Sequence, residues 1–413
     1  MYGHWSFSWV QIMAHNKGKL FSLLAITSLL VMLGLMDLEQ TISSYAWGVL
    51  FTSILLMSLA MAKLLDSFKA AMLQFGLSLY ILMMTLGALG WVGAVLDESS
   101  LLGLVILMTV MTSNLVHILS TLLREMARGL FQFDAIAEAL KFNSSPIFLA
   151  NFTSLMGFAF AAWYQPELTT MAWVVGIGVA ISYLTTLSWL PLILLNWLLE
   201  FRVGSTADRY GYAFVVTWLE NRASLLKWFL FLIVLGFLAL LWAASPILSM
   251  VWQLVEMLLV MSVLFLVFWK SLSLAILNTF ANVLALVLTV AGFYLLMSFW
   301  LPAQSNISLL LLMVPLGLIV DDGIHFFSRY VRAKQGMFSD SASSVRYAMA
   351  SVGRPIWMTS WIVMVGLLTL LFSTQTQIQQ ASLITIFSLG FATFIILVLI
   401  PALLTFKNVA RVK

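Results

Sequence analysis

The sequence has no cysteine and very little charge. Its 413 residues include 0 cysteines, and only 9% of them are charged, whereas 62% are hydrophobic. The missing thiols exclude disulfides, cysteine nucleophiles and cysteine-ligated metals. The scarcity of charge, with a mean hydropathy of +1.06, excludes an ordinary soluble domain.

Long apolar runs fill the chain instead. They are continuous rather than alternating, which predicts membrane-spanning helices and argues against an outer-membrane barrel. We expect an all-α membrane protein with twelve transmembrane helices. The predicted spans are 19–36, 45–64, 71–96, 100–122, 145–164, 169–198, 223–243, 248–268, 271–300, 306–328, 355–373 and 381–405.

The basic residues indicate one orientation. With these spans, all 20 lysines and arginines fall on a single side of the membrane. The opposite loops carry only acids, which are Asp37, Glu39, Asp97, Glu98 and Glu167. Because positive charge is enriched in cytoplasmic loops, we expect both termini in the cytoplasm and the chain in the bacterial inner membrane. Residues 1–18 read as an interfacial helix.

The two halves of the sequence resemble each other. "SNLVHILS" from Ser113 aligns with "DDGIHFFS" from Asp321, and "SSPIFLANF" from Ser144 aligns with "GRPIWMTSW" from Gly353. Six spans per half make the two repeats parallel, with a pseudo-twofold axis along the membrane normal. The predicted repeats are 19–204 and 205–413, and each contains an amphipathic cytoplasmic helix, about 128–142 and about 337–352.

Two adjacent acids, Asp321 and Asp322, stand inside the apolar run "LGLIVDDGIHFFSRY". Desolvation penalises a charged carboxylate, so acids at membrane depth are rare and commonly carry protons. Two neighbouring carboxyls titrate as a coupled pair. His325 lies four residues after Asp321 and three after Asp322, so it can share a helix face with either acid. The pattern predicts a proton relay of Asp321, Asp322 and His325; the alternative is a neutral, hydrogen-bonded contact between helices.

Several polar residues and glycines are candidates to support that relay. Repeat symmetry predicts that span 4 faces span 10, and span 11 could add hydroxyls beside the acids. The supporting set is Ser113, Asn114, His117, Thr359 and Ser360, with Gly317 and Gly323 as helix-packing positions. Gln253 and Glu256 could line a substrate groove, although a glutamate near a helix end can also simply reach water.

Motifs of catalysis are missing from the sequence. It contains no nucleophile elbow, no phosphate-binding loop and no HExxH, and its four histidines are scattered. The glycines of "VVGIGVAI" lie within a span, where they serve helix packing. We therefore expect no enzyme, no cofactor, no metal site and no nucleic-acid partner.

The six-plus-six repeat with "GLIVDDGIHF" in span 10 resembles the resistance–nodulation–division (RND) superfamily, particularly its MMPL-like, lipid-exporting branch. The proline-led span 11 and Pro401 in span 12 also fit this resemblance. Members carry large extracytoplasmic domains after spans 1 and 7, where this chain has only short loops. Many MMPL-like relatives also repeat the acidic pattern in span 4, where this chain has Ser113 and Asn114.

The resemblance implies a transporter. The expected function is proton-motive-force-driven export of a hydrophobic or lipid-like molecule, with protons, membrane lipids and that substrate as partners. An extracytoplasmic partner protein could supply the missing outer domains. The alternative is a non-transporting module that senses lipid or sterol, or docks a partner.

Overall fold

The computed structural model describes residues 4–98, 100–197, 199, 211–220, 231, 235–236, 248–300, 309–337 and 340–409. Helices dominate this part of the chain. Ten of its helical segments are long and apolar enough to cross a membrane by length and composition. The chain is therefore a multi-pass helical membrane protein. Span 7, predicted over 223–243, lies outside the described residues except for 231 and 235–236, and the count of twelve spans stays a prediction.

Most helices of the N-terminal half follow the apolar runs closely, and α6 is the exception because it begins 13 residues before the predicted span 5. After α2, a short 3-10 turn spans Leu33–Asp37. The helices are α1 Trp5–His15, α2 Lys17–Met32, α3 Ser44–Leu65, α4 Phe68–Val92, α5 Ser100–Ala127, α6 Gln132–Tyr164, α7 Thr169–Leu187 and α8 Trp189–Leu194.

The later helices carry the acid pair. They are α9 Ala213–Glu220, α10 Leu248–Trp269, α11 Leu272–Trp300, α12 Leu309–Gly336, α13 Ser341–Ala348, α14 Arg354–Leu368, α15 Thr376–Phe394 and α16 Ile400–Val409. Wide π-helical turns join α13 to α14 over Met349–Gly353 and α15 to α16 over Ile395–Leu399. Such turns interrupt the regular ladder and commonly lie near functional sites.

One strand pair departs from the all-α prediction. β1 (Glu39–Gln40) pairs in parallel with β2 (Val95–Leu96), and Thr41 continues the pairing through a 2.8 Å bond from its amide to the Leu96 carbonyl. The strand pair joins the loop that follows α2 to the loop that follows α4, and both loops contain acidic residues. Two-residue strands satisfy backbone groups in loops too short to fold as a domain.

The prediction of a separate amphipathic helix over 128–142 is wrong about where that helix ends. No break divides it from span 5, and α6 runs from Gln132 to Tyr164 with Pro146 inside it. Its polar residues bind protein rather than lie free on a surface: Asn143 donates to Thr121 on α5 at 3.0 Å. The second amphipathic segment, predicted over 337–352, is α13 and likewise leads into the next span through the π-helical turn.

The described chain divides into two compact units. The first comprises Met1–Arg209 and Trp361–Gln379, and the second Tyr210–Ser360 and Gln380–Lys413. α14 and α15 therefore contribute residues to both. The predicted domain division and internal repeat stay predictions.

The two units have different central helices. In the first, α5 is buried almost throughout and packs against α3, α6 and α7. In the second, α12 packs against α10, α11 and α13. A helix enclosed by its neighbours can carry polar side chains that lipid would not tolerate, because other helices supply hydrogen-bond partners.

Candidate functional site

Asp321 and Asp322 lie near the middle of α12, a 28-residue helix. At about 1.5 Å per residue, they stand about 18–20 Å from its first residue, Leu309. Pro315 lies inside the same helix. Proline removes one backbone donor and leaves a carbonyl without its helical partner. The acids therefore follow a locally weakened turn.

Asp322 is enclosed by hydroxyl groups. The residue is 4% exposed, and its Oδ2 accepts from Ser360 Oγ at 3.2 Å and from Thr393 Oγ1 at 3.0 Å. Ser360 comes from α14 and Thr393 from α15, so three helices meet at this carboxyl group. All three residues belong to the second unit.

The two hydroxyls also contact each other. Ser360 Oγ lies 2.5 Å from Thr393 Oγ1, and it lies 2.9 Å from the Ile356 carbonyl one turn earlier on its own helix. Together with the two bonds to Asp322, four polar contacts join these groups. Each contact needs one hydrogen, and the two hydroxyls supply only two.

Asp321 has different surroundings. Its Oδ1 lies 3.3 Å from His325 Nε2 one helical turn on, and the aspartate side chain is 18% exposed whereas that of His325 is 1% exposed. The sequence allowed His325 to pair with either acid, and the structure places it against Asp321. Arg329, one turn further along α12, is buried as well.

Gly323 brings α11 close to the acids. A Cβ at this position would overlap Asn278 Oδ1. Asn278 is fully buried, and its carboxamide makes no hydrogen bond within the described part of the chain. Its carboxamide packs against the glycine beside Asp322.

Two of the other predicted supporting residues, Thr359 and Asn114, have hydrogen-bond partners other than the two acids. Thr359 donates to the Ile356 carbonyl at 2.8 Å. In the first unit, Asn114 donates to Asn151 at 3.1 Å and to Ser182 at 3.4 Å. Its neighbours Ser113 and His117 on α5 are buried. Whether span 4 faces span 10 stays a prediction.

Gln253 and Glu256 lie on α10, half-buried. Gln253 Oε1 is a buried oxygen without a hydrogen bond to any described group. Both residues stay candidates for a substrate groove.

Sequence reasoning missed Thr393. It stands in the apolar run "FATFIILVLI", where a lone hydroxyl gives little signal, because threonine often bonds only to its own helix. A pairing with Asp322, 71 residues earlier in the chain, was not visible from spacing.

A second missed feature is a buried polar network in the first unit. Gln74 Oε1 accepts from Ser58, and Gln74 Nε2 lies 3.0 Å from both Ser78 Oγ and Thr112 Oγ1. All four residues are buried. The network joins α3, α4 and α5 and leaves the glutamine amide fully bonded.

Comparisons with known proteins agree with the predicted resemblance. Residues 243–411 match the model of the MMPL family, which confirms the resemblance over that part of the chain. A comparison with curated protein sequences finds no match.

Two solved structures share the fold. One is SecDF from Thermus thermophilus, described as a translocon-associated membrane protein, with a TM-score of 0.70 and 15% identity. The other is SecDF in a super-membrane-facing form, with a TM-score of 0.68 and 15% identity. The alignments cover 87% and 90% of this chain but 62% and 63% of SecDF. The chain thus spans less than two thirds of the SecDF length.

Proposed function

We propose that this chain is a proton-motive-force-driven secondary transporter that exports a hydrophobic or lipid-like molecule across the bacterial inner membrane. Asp321, Asp322 and His325 form its proton relay. The observation that carries this proposal is the enclosure of Asp322 by two hydroxyls that can serve it both with and without a proton.

Counting the hydrogens shows how the two hydroxyls can form hydrogen bonds with Asp322 in both protonation states. When Asp322 is ionised, Thr393 and Ser360 both donate to its Oδ2. When Asp322 is protonated, it donates to Thr393, Thr393 donates to Ser360, and Ser360 donates to the Ile356 carbonyl. The third hydrogen comes from the carboxylic acid, and only two hydroxyl rotations separate the states. A buried acid with satisfied partners in both states can gain and release a proton without breaking helix packing.

Asp321 is suited to exchange protons with water. Its side chain is partly exposed, unlike that of Asp322, and His325 Nε2 lies within reach of its Oδ1. A proton taken from water by the Asp321–His325 pair can pass to the adjacent Asp322 carboxylate. The exported molecule then leaves as Asp322 loses that proton and the hydroxyls return to their first arrangement. Alternating access by one six-helix bundle moving against the other would couple the two events.

Reconstituted liposomes test the assignment. Entrapped pyranine reports proton uptake under an imposed pH gradient, while a fluorescent phospholipid serves as the hydrophobic probe. We expect Asp322→Asn to reduce gradient-driven flux of both to the level of empty liposomes, and Asp321→Asn to do the same. Asp37→Asn removes a charge from an exposed loop and is expected to transport like the wild type. Full flux in the Asp321→Asn, Asp322→Asn double variant would reject the relay.

The short loops after predicted spans 1 and 7 cannot form the large extracytoplasmic domains that RND members carry. SecDF, which shares the fold, is described as translocon-associated. We propose that this chain likewise associates with another protein, and that this extracytoplasmic partner supplies the outer domains. Gln253 and Glu256 on α10 are the proposed lining of a groove that admits substrate.

A lipid-sensing module is the second candidate function. It is favoured by an apolar groove of about 320 Å³ in the first unit, lined by Leu77 and Tyr80 of α4 and by Trp189 of α8. Tyr80 closes the polar end of this groove, because its hydroxyl oxygen lies 2.7 Å from both Trp189 Nε1 and Ser28 Oγ. Saturable lipid binding without any gradient-driven flux would support sensing over transport.

A further inference from the structure

A cavity of about 410 Å³ lies at the end of the second unit that the basic residues predict to be cytoplasmic. It opens where α10 ends, α11 begins, and α12 is followed by α13. This volume falls in the range of small-molecule sites. The cavity is about nine residues along α12 from the acid pair, so it is separate from the proposed relay.

Positive charge dominates its lining. Lys270 and Lys334 both line the cavity, and none of the described residues that line it is acidic. Lys270 follows α10 with a φ of 52°, a left-handed conformation that usually belongs to glycine. Its amide donates to the Leu266 carbonyl at 2.8 Å, which fixes the backbone from which the ammonium projects.

Hydroxyl groups hold the second lysine in place. Lys334 Nζ lies 3.4 Å from Tyr330 Oη and 3.3 Å from Ser341 Oγ, and Tyr330 Oη lies 3.2 Å from Ser341 Oγ. Tyr330 is 2% exposed. An ammonium group carries three donors, so after donating to these two oxygens Lys334 keeps one hydrogen for a further acceptor.

The start of α11 adds donors to the same space. Ser271 and Ser273 line the cavity. The Ala275 amide donates to the Ser271 carbonyl at 3.1 Å, and this is the first hydrogen bond of α11. The first amides of a helix have no intrahelical acceptor, and its dipole favours negative charge there. Two lysines and four hydroxyl-bearing residues therefore line one space, which lies at the start of α11.

An apolar wall completes the cavity. Trp269, Leu274 and Leu404 line it together with the polar groups. A mixed lining of this kind suits an amphiphile, with an anionic group at the lysines and a hydrocarbon portion against the wall.

We propose that this cavity binds a phosphate-bearing anion, with Lys270 and Lys334 as its principal ligands. A phosphate monoester or diester matches the chemistry, because its oxygens accept from ammonium, hydroxyl and amide donors at once. The anion has two available sources, the headgroup of an anionic phospholipid in the cytoplasmic leaflet and a soluble phosphate ester. Binding is independent of the proton relay.

The test uses the full chain in two arms. In the first, nanodiscs contain phosphatidylglycerol within a phosphatidylcholine bilayer, and retention of phosphatidylglycerol is measured by native mass spectrometry. In the second, nanodiscs contain phosphatidylcholine only, and binding of sn-glycerol 3-phosphate is measured by calorimetry. The variant is Lys270→Gln with Lys334→Gln. Its control is Lys19→Gln with Lys63→Gln, which removes the same charge from two exposed positions.

We expect the cavity variant to bind at least tenfold more weakly than the control in one arm, since each lost charge-assisted hydrogen bond has about that effect. A loss confined to the first arm assigns a lipid headgroup, and a loss confined to the second assigns a soluble ester. Losses in both arms assign a site open to either source. Equal binding by the two double variants in both arms, or no binding by the wild type, would overturn the proposal.

Thermal unfolding in the phosphatidylcholine nanodiscs separates binding from folding. The cavity variant and the control are expected to unfold at the same temperature without the anion. If the cavity variant does not fold, Lys334→Arg provides the second test, since it retains the charge and is expected to keep binding within threefold. Loss of binding in a folded Lys334→Arg protein would contradict the charge-based recognition.

Discussion

At the scale of single residues, Asp322 depends on two hydroxyl groups from two other helices. A hydrogen bond to a charged group contributes about 1.5–3 kcal/mol. The bond from Thr393 Oγ1 at 3.0 Å and the bond from Ser360 Oγ at 3.2 Å therefore stabilise the ionised carboxylate, and the hydroxyl pair also serves the protonated acid. Removing the Thr393 hydroxyl takes a partner from Asp322 in both protonation states, and removing the Ser360 hydroxyl takes a donor from the ionised state and interrupts the chain of bonds in the protonated state.

Thr393 gives the first prediction at this scale. Thr393→Val keeps the side-chain shape and removes the hydroxyl, so we expect gradient-driven proton flux in liposomes to fall about tenfold. Thr393→Ser retains the hydroxyl and is expected to stay within threefold of the wild type. Thr405→Val is the matched control, because among the described residues the Thr405 hydroxyl bonds only to carbonyls of its own helix, such as Pro401 at 2.9 Å. Full flux in Thr393→Val would remove Thr393 from the relay.

Gly323 gives the second prediction. In Gly323→Ala the new methyl group overlaps the Asn278 carboxamide, so α11 and α12 must separate, at a cost of about 1–3 kcal/mol. We expect a lower unfolding temperature in detergent. Gly336→Ala places the same methyl group where nothing lies within 4 Å and is expected to unfold like the wild type. Combining Gly323→Ala with Asn278→Ala is expected to restore stability, and a failure to restore it would contradict the contact as the cause.

At the scale of elements, capping and buried networks decide where helices begin and how they join. α13 begins at Ser341 because Asp340 caps it, with Oδ2 accepting from the Ser343 amide at 2.8 Å. Hydrogen bonds from Ser343, above all from its backbone amide, lower the pKa of Asp340. A similar pattern occurs in the first unit, where hydrogen bonds from Ser43 lower the pKa of Glu98.

Asp340 yields a pH-dependent prediction. A depressed pKa in the folded state means that the cap stabilises α13 above the pKa of unfolded aspartate, about 3.9, and that this stability is lost as pH falls through the lower folded pKa. We expect amide hydrogen exchange in α13 to accelerate as pH falls through this range, after correction for intrinsic exchange rates. Asp340→Asn keeps a capping oxygen and is expected to remove the pH dependence. Asp340→Ala is expected to destabilise the helix at neutral pH by about 1 kcal/mol. If the protection of wild-type α13 from hydrogen exchange did not change with pH, this capping role would be contradicted.

Gln74 gives a prediction about how α3, α4 and α5 join. Gln74→Ala leaves the hydroxyls of Ser58, Ser78 and Thr112 buried without the amide, which costs about 1–3 kcal/mol. We expect a lower unfolding temperature in detergent. Gln11→Ala changes an exposed glutamine on α1 and serves as the control. An unchanged unfolding temperature for Gln74→Ala would show that the network does not hold these helices together.

At the scale of the whole molecule, the charge distribution predicts topology. With the predicted spans, basic residues fall on one side and loop acids on the other, and such a bias sets the orientation of polytopic membrane proteins. The loop acids of the first unit also have local roles. Glu98 accepts from the Ser43 amide and from Thr374, both at 3.2 Å, and thus joins three segments of the first unit.

Single-cysteine labelling tests the orientation directly, because the chain contains 0 cysteines of its own. We expect Lys63→Cys in whole cells to resist a membrane-impermeant maleimide and Glu167→Cys to react with it. After the cells are lysed, both variants are expected to react. Labelling of Lys63→Cys in intact cells would reverse the predicted topology.

Much of the fold could be predicted from periodicity and length. The apolar run predicted over 45–64 is the helix Ser44–Leu65, and that predicted over 271–300 is Leu272–Trp300. Hydrophobic length sets these bounds, and neighbouring helices change them little. The join between 128–142 and span 5 could not be predicted, because Pro146 and polar residues are typical of a helix end. Only the packing of Asn143 against Thr121 on α5 shows why the helix continues.

By itself, the sequence determined the class of protein, and it predicted the orientation and a position at membrane depth for two acids. These follow from composition and local order, because the energy of placing a side chain in hydrocarbon depends mainly on that side chain. Only the tertiary structure decided that Asp322 meets Ser360 and Thr393 while Asp321 meets His325. Partners 38 and 71 residues apart are brought within hydrogen-bond distance by helix packing, and no spacing along the chain specifies which helices touch.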